Sequence, residues 1–180
     1  LWTTVARRKE FVNIRIGDQH GDIKRDEREI FLKTIKNGEN RWVYYGSRFA
    51  RILRKWLDQG GRDAYDYADK SQYLIPTNQS EKCQRKYPNQ VVRRVADRAG
   101  LTFTYATDSR GRELKFPTAH SYRHSYIVHR IKGDDHSDGM KLEFLRRLSG
   151  HKSVTTLADT YITVRRQEVK KADKRHRPVL

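Results

Sequence analysis

The sequence predicts a mainly α-helical domain with one small antiparallel β-sheet, an α+β fold. Three observations lead there. Apolar residues recur at helical spacing in several segments that Gly or Pro closes. One early segment instead sets β-branched and aromatic residues around an Asn-Gly pair. The 180 residues, 36% of them hydrophobic, can fill one compact core but not two comfortable ones.

In chain order, Val5, Phe11, Val12 and Ile14 are spaced loosely as on a helix between Leu1 and Ile16, and the turn-rich "GDQHGD" follows. "EIFLKTIKNGENRWVYYG" reads as a β-hairpin, because Asn37-Gly38 tolerates the positive φ of a tight turn. Ser47 is placed to cap a helix from Arg48 to about Gln59, which Gly60-Gly61 ends. Phe49, Ile52, Leu53 and Trp56 form its apolar stripe, with Arg48, Arg51, Arg54 and Lys55 on the other faces. "GGRDAYDYADKSQ" is a polar connection, and "YLIP" a short extended piece closed by Pro76. Pro88 opens the helix "PNQVVRRVADRAG", which Gly100 stops. "ATDSRGREL" reads as a turn-rich loop. Pro117-Thr118 then introduces a helix that "DDHSDG" breaks; "MKLEFLRRLSG" is another helix and "TTLADTYI" a short last one. From about Val164 the chain becomes basic, so the expected division is a domain at 1–164 and a tail at 165–180.

Charge narrows the function. Thirty-nine Lys and Arg against 22 Asp and Glu leave +17, spread along the chain. Such a field favours a polyanion, nucleic acid before an anionic membrane surface; a merely basic domain is the plain alternative. No apolar run approaches the roughly 18 residues a membrane helix needs, and no signal-peptide pattern opens the chain. Cys83 is alone, which excludes an internal disulfide and a cysteine zinc cluster and suits a reducing cytoplasm. The first residue is Leu1 and the only methionine is Met140, which leads us to expect a piece of a longer protein.

Three short motifs carry candidate chemistry. In "HSYRHSYIVHRI", His120 and His124 share a helical face at metal-binding spacing, but Ser121 stands where a zinc protease carries glutamate and Arg123 repels a cation. His120 and Arg123 also share a face. Beside a phosphate, one would handle protons and the other neutralise oxygens; two solvated side chains are the plain alternative. In "LSGHKSVTTLADTYI", Gly150 ends a helix, His151 follows and Tyr161 comes ten residues later. With ten tyrosines in the chain, any single one is more often a packing residue than a nucleophile. In "VARRKEF", Glu10 is placed to form an ion pair with one of Arg7 and Arg8, which leaves the other for a second partner.

Taken in order, "TVARRKE", "IKNGENR", "HSYRH", "SGHKS" and "DTY" resemble the conserved sites of the tyrosine recombinase (phage integrase) catalytic domain, from about Thr3 to about Val164. The resemblance implies that fold and a catalytic set of Arg7, Lys36, His120, Arg123, His151 and Tyr161. Glu10 would support the first arginine, and His124 would pack or act from behind. Arg8 and Lys33 remain rivals to Arg7 and Lys36. The sequence departs from the pattern in a longer His151-to-Tyr161 interval, in Tyr122 before the arginine and in Ser149 before Gly150.

The implied reaction breaks and rejoins DNA through a covalent 3′-phosphotyrosine, without a metal or other cofactor. Two arginines brace the nonbridging oxygens, a histidine takes the phenol proton, and Lys36 donates to the leaving 5′ oxygen. Arg48, Arg51, Arg54, Arg93 and Arg94 are candidates for phosphate contacts on double-stranded DNA. The resemblance further implies an N-terminal core-binding domain, absent from these residues, and a homotetramer on DNA joined by exchange of the C-terminal tail. It also implies a cytoplasmic, nucleoid-associated protein of a virus, plasmid or other mobile element. A type IB topoisomerase or hairpin telomere resolvase shares this chemistry. A metal-dependent nuclease built on His120 and His124, or an inactive DNA-binding module, are the readings from other classes.

Overall fold

The computed structural model describes residues 4–17, 21–34, 39–133 and 139–161. The early hairpin forms as expected: β2 (Glu29–Leu32) pairs antiparallel with β3 (Arg41–Tyr44), and β1 (Ile23–Lys24) adds on the far side of β2. Strand alternation buries Ile30 and Leu32 on β2 and Arg41 and Val43 on β3, while Trp42 and Tyr44 face out. The hairpin tip with Lys36, Asn37 and Gly38 lies outside the described residues.

The buried face of this sheet packs on α2 (Ser47–Asp58). Ile30, Leu32, Val43 and Tyr45 meet Leu53, Phe49, Trp56 and Leu57 there, with Ala6, Ile14 and Leu74 closing the core. Two expectations change here. Gly46, not Ser47, is the N-cap, so the helix begins one residue early. Ile52 is exposed, and the stripe is Phe49, Leu53, Trp56 and Leu57, whose i, i+4, i+7 and i+8 spacing keeps to one helical face, with the Trp56 indole N–H donating to the Leu74 carbonyl at 2.7 Å.

The segment expected as a helix from 1 to 16 is helical only over α1 (Arg8–Phe11). Beyond it the chain extends beside "YLIP": the Leu74 N–H donates to the Ile14 carbonyl (2.9 Å), and the Ile16 N–H to that of Gln72 (2.8 Å). The polar connection before "YLIP" wraps the buried Arg62, whose guanidinium donates to the carbonyls of Ala68 and Ser71.

Helix α3 (Tyr87–Arg98) carries Pro88 in its first turn, where no intrahelical N–H is needed, and Gly100 follows its end with φ +66°. The stretch expected as a loop is a second hairpin: β4 (Phe103–Thr107) pairs with β5 (Glu113–Phe116), Phe103 facing Phe116. Asp108 folds its turn by accepting the N–H groups of Arg110 and Arg112.

Thr118 caps α4 (Ala119–Lys132), its hydroxyl accepting the Ser121 N–H at 3.1 Å. Ala119, Arg123, Tyr126 and Ile127 make the buried face of α4. Then come α5 (Leu142–Ser149) and α6 (Val154–Tyr161). Ile127, Leu145, Leu157, Tyr126 and Tyr161 form a second core with Val5. Val5 and Ala6, adjacent in sequence, thus enter different cores, and the irregular segment between Thr4 and Arg7, with Val5 at φ +52°, runs along the seam. The described residues form a mainly α, α+β domain with six helices and two small antiparallel sheets, one more sheet than expected. No described helix is long and apolar enough to cross a membrane.

Candidate active site

The seam is organised by one buried carboxylate. Glu10 in α1 accepts from the Arg7 N–H (2.7 Å) and from the Arg7 guanidinium (2.9 Å). It also accepts both terminal nitrogens of Arg41, at 3.1 and 3.0 Å. Burial alone would raise its pKa, but the bonds to Arg41 and Arg7 outweigh burial and hold it at about 2, so the carboxylate stays charged.

Two more links converge on the turn that ends α5. Arg7 donates to the Gly150 carbonyl at 3.0 Å, and Arg123, 2% exposed, donates to the Ser149 carbonyl at 2.5 Å and to that of Val5. Arg41 completes the brace through Nε to the Leu148 carbonyl (2.7 Å). Three guanidiniums are thereby fixed on three successive carbonyls. Burial and the like charge of Arg7 pull the pKa of Arg123 down to about 10, which leaves it charged at neutral pH.

His151 follows this turn. Burial, then the positive charges of Arg123, Arg7 and Arg41, push its imidazole down to about 4. Tyr161 of the same chain packs beside it, ring centroids 5.6 Å apart and nearly edge-on, and lies 4.8 Å from the ring of His124. His120 is on the α4 rim of a cavity of about 410 Å³ that Arg7, Arg8, Lys9, Glu10, Thr34, Arg85 and Arg123 also line. Partial burial and neighbouring Arg123, His124, Arg8 and Arg7 lower its pKa as well.

The structure therefore brings together Arg7, His120, Arg123, His151 and Tyr161; Lys36 lies outside the described residues. Lys33, its rival, is engaged with the buried Asp22 at 2.7 Å. Arg48, Arg51, Arg54 and Arg94 are exposed on α2 and α3 and Arg93 is half-buried; none of them lines the cavity. Arg8, Lys9 and Arg85 do. Sequence reasoning missed these as wall residues, and missed Arg41. One signal was available for Arg41: its strand parity sets it with Val43, on the inward face. Among the described residues, no group of three or more His, Cys, Asp or Glu side chains is placed to hold a metal ion.

Two outcomes follow from this geometry. Gly150 takes φ +67°, and a Cβ there would stand 2.7 Å from Nη1 of Arg41, which Glu10 pins. Gly150→Ala is expected to cost about 1–2 kcal/mol for the left-handed backbone alone, read as a lower melting temperature, with further loss from displacing Arg41. Acid is the second. His151 has a depressed pKa, so the unfolded chain takes the proton first and stability falls as pH drops from 6.5 towards about 4. Glu10 contributes fully above its ordinary 4.5 and loses that contribution as pH falls towards about 2, a contribution of about 3 kcal/mol. Urea unfolding across this range should show both losses, and Glu10→Gln should lack the lower one.

The Phage integrase family model matches residues 1–168. No curated protein matches the sequence. Among solved structures, XerA recombinase superposes with TM-score 0.68 at 21% identity, covering 98% of this chain and 55% of that one. XerH site-specific recombinase, in a post-cleavage complex with a palindromic difH substrate, gives 0.68 at 20%, over 96% of this chain and 42% of that one. The Tn1549 transposon integrase in complex with a circular-intermediate DNA gives 0.65 at 13%, over 97% and 56%. The chain thus spans about half the length of these proteins, and the likeness to them is one of fold. With the family match extending over nearly all of its length, the chain belongs to the phage integrase family, the tyrosine recombinases.

Proposed function

We propose that this domain breaks and rejoins DNA strands, with Tyr161 as nucleophile and a 3′-phosphotyrosine as intermediate, within a site-specific recombinase. One observation carries the reading: Arg7 and Arg123 hang from adjacent carbonyls of the 149–150 turn, with His151 and Tyr161 beside them and His120 on the same cavity. Two fixed guanidiniums suit a phosphodiester, whose charge peaks in the five-coordinate transition state; each such contact is worth on the order of 3 kcal/mol.

The step balances as follows. The Tyr161 oxygen bonds to phosphorus as the bond to the 5′ oxygen breaks. The phenol proton passes to a histidine, and the leaving oxygen takes a proton from Lys36, the residue the resemblance assigns. The new ester keeps the bond energy, so a 5′ hydroxyl can reverse the attack. No metal enters this scheme. Double-stranded DNA is the proposed partner, which the net charge of +17 favours. Arg48, Arg51, Arg54, Arg93 and Arg94 would add backbone contacts away from the cavity. The proposed assembly is a homotetramer on DNA, joined through residues 165–180.

The test is a pool of nicked duplexes whose short broken strand diffuses away after cleavage. Protein bound to DNA on a denaturing gel, with or without chelator, is the expected result. Free cleaved ends that chelator abolishes would instead establish a metal-dependent nuclease. Relaxation of supercoiled DNA carrying one site, with no exchange between two, would replace recombination by topoisomerase action.

A further inference from the structure

A second cavity, of about 510 Å³, shares no residue with the catalytic one. Strand β2 separates them: Arg28 precedes it at the new cavity and Thr34 follows it at the other, roughly 15–20 Å away at the rise of a strand. Strand parity turns Tyr45 inward after Arg41 and Val43, and its ring packs edge-on with Phe49, centroids 5.1 Å apart. Tyr45 is 6% exposed and lines the cavity, yet its hydroxyl has no hydrogen-bond partner among the described residues. Burial raises the pKa of this phenol, and the charges of Arg25 and Arg28 pull against burial. The hydroxyl is therefore a protonated donor close to both guanidiniums.

The Tyr45 N–H donates to the Arg28 carbonyl at 3.0 Å, which ties the β1–β2 turn to the start of α2. No side chain caps that helix. Its first helical bond runs from Ala50 N–H to the Gly46 carbonyl (3.0 Å), so the N–H groups of Ser47, Arg48 and Phe49 precede the ladder. Ser47 lines the cavity at this end, and four arginines line it too. Arg25 is engaged with Asp58 in a two-pronged ion pair, and Asp26 offsets one further charge on the rim. Arg28, Arg51 and Arg54 make no ion pair among the described residues, so four arginines less two aspartates leave +2.

We propose that this cavity binds a phosphate group other than the one at the catalytic site. Arg28, Arg51 and Arg54 supply the charge; the first N–H groups of α2 and the Tyr45 hydroxyl supply directed bonds. The donors come from a turn, a strand end and a helix end, which suits the tetrahedral oxygens of phosphate better than a flat carboxylate. A free phosphate compound and a DNA backbone carry the same group. The inference does not rest on the function proposed above.

The test is two-dimensional NMR of the unaltered 180-residue chain, titrated with inorganic phosphate against chloride at constant ionic strength. The amides of Ser47, Arg48 and Phe49 and the Tyr45 ring should shift to saturation. Tyr45→Phe should weaken binding about tenfold, and Arg28→Gln combined with Arg51→Gln should remove saturation. Arg98→Gln, exposed on α3, should bind as before. Duplex DNA of arbitrary sequence then separates the sources. If it moves the same signals and free phosphate reverses the change, the ligand is a backbone phosphate; if it leaves them in place, the ligand is a free phosphate compound. Either result upholds the site. Shifts spread over exposed amides without saturation, or undiminished binding in the double arginine variant, would mean a response to net charge alone and overturn it. Cleavage plays no part in this reading, so a chain that makes no adduct can still bind phosphate here, and one that makes adduct can lack the site.

Discussion

Arg41→Met is expected to destabilise the fold by about 3–5 kcal/mol, because it strips a buried carboxylate of its bidentate partner. Glu10, 3% exposed, would keep Arg7 and the longer bond from the Thr34 hydroxyl (3.3 Å), and the Leu148 carbonyl would lose the donor that Arg41 Nε provides. Pairing this change with Glu10→Gln removes the stranded charge, so much of the lost stability should return in the double variant. Cleavage should not return with it. Arg7 takes its position from Glu10 through a backbone and a guanidinium bond on separate oxygens, and glutamine's single amide oxygen replaces neither the charge nor both bonds. Denaturant midpoints and adduct yields measured on the two single variants and the double one would separate these effects. Equal recovery of both would mean that Glu10 and Arg41 serve folding alone.

The parts of this molecule legible in its sequence are those set by local chemistry. The alternation of Glu29–Leu32 and Arg41–Tyr44 announced the first hairpin, and those strands pair as the pattern requires, while Asn37-Gly38 lies outside the described residues. Thr118 and Gly150 marked a helix start and a helix stop through capping and a left-handed φ. The second hairpin was not legible because every residue of β4 is exposed, so no half-buried face imprinted a period of two on Phe103–Thr107. The apolar residue Ile14 misled for a related reason: it is buried, but along an extended segment pairing with "YLIP", a contact made at long range. The same holds at the site. Motif order indicated Arg7, His120, Arg123, His151 and Tyr161, yet it contained nothing about the carbonyls on which the arginines hang. Those bonds exist only once Val5 and Ala6 have entered separate cores and the 149–150 turn has closed over the seam.

Tyr161→Phe should abolish the covalent adduct while leaving the fold and DNA binding intact. The ring, 8% exposed, packs with Val5, Ile127, Leu145 and Leu157, and phenylalanine fills the same space. What disappears is the one oxygen proposed to attack phosphorus. Tyr122 is the control, since it lies exposed on α4 immediately before Arg123 and is the nearest rival in sequence. Tyr122→Phe should form adduct at the normal rate. An adduct that persists in Tyr161→Phe and vanishes in Tyr122→Phe would move the nucleophile to α4. Because Tyr161 stands beside His151 of its own chain, a mixture of Tyr161→Phe with Arg123→Ala subunits adds a second reading. Attack within one chain predicts no adduct from the mixture, since each subunit lacks half of its site. Adduct formed there at a level neither variant reaches alone would mean that the tyrosine leaves its own pocket and enters a neighbour's.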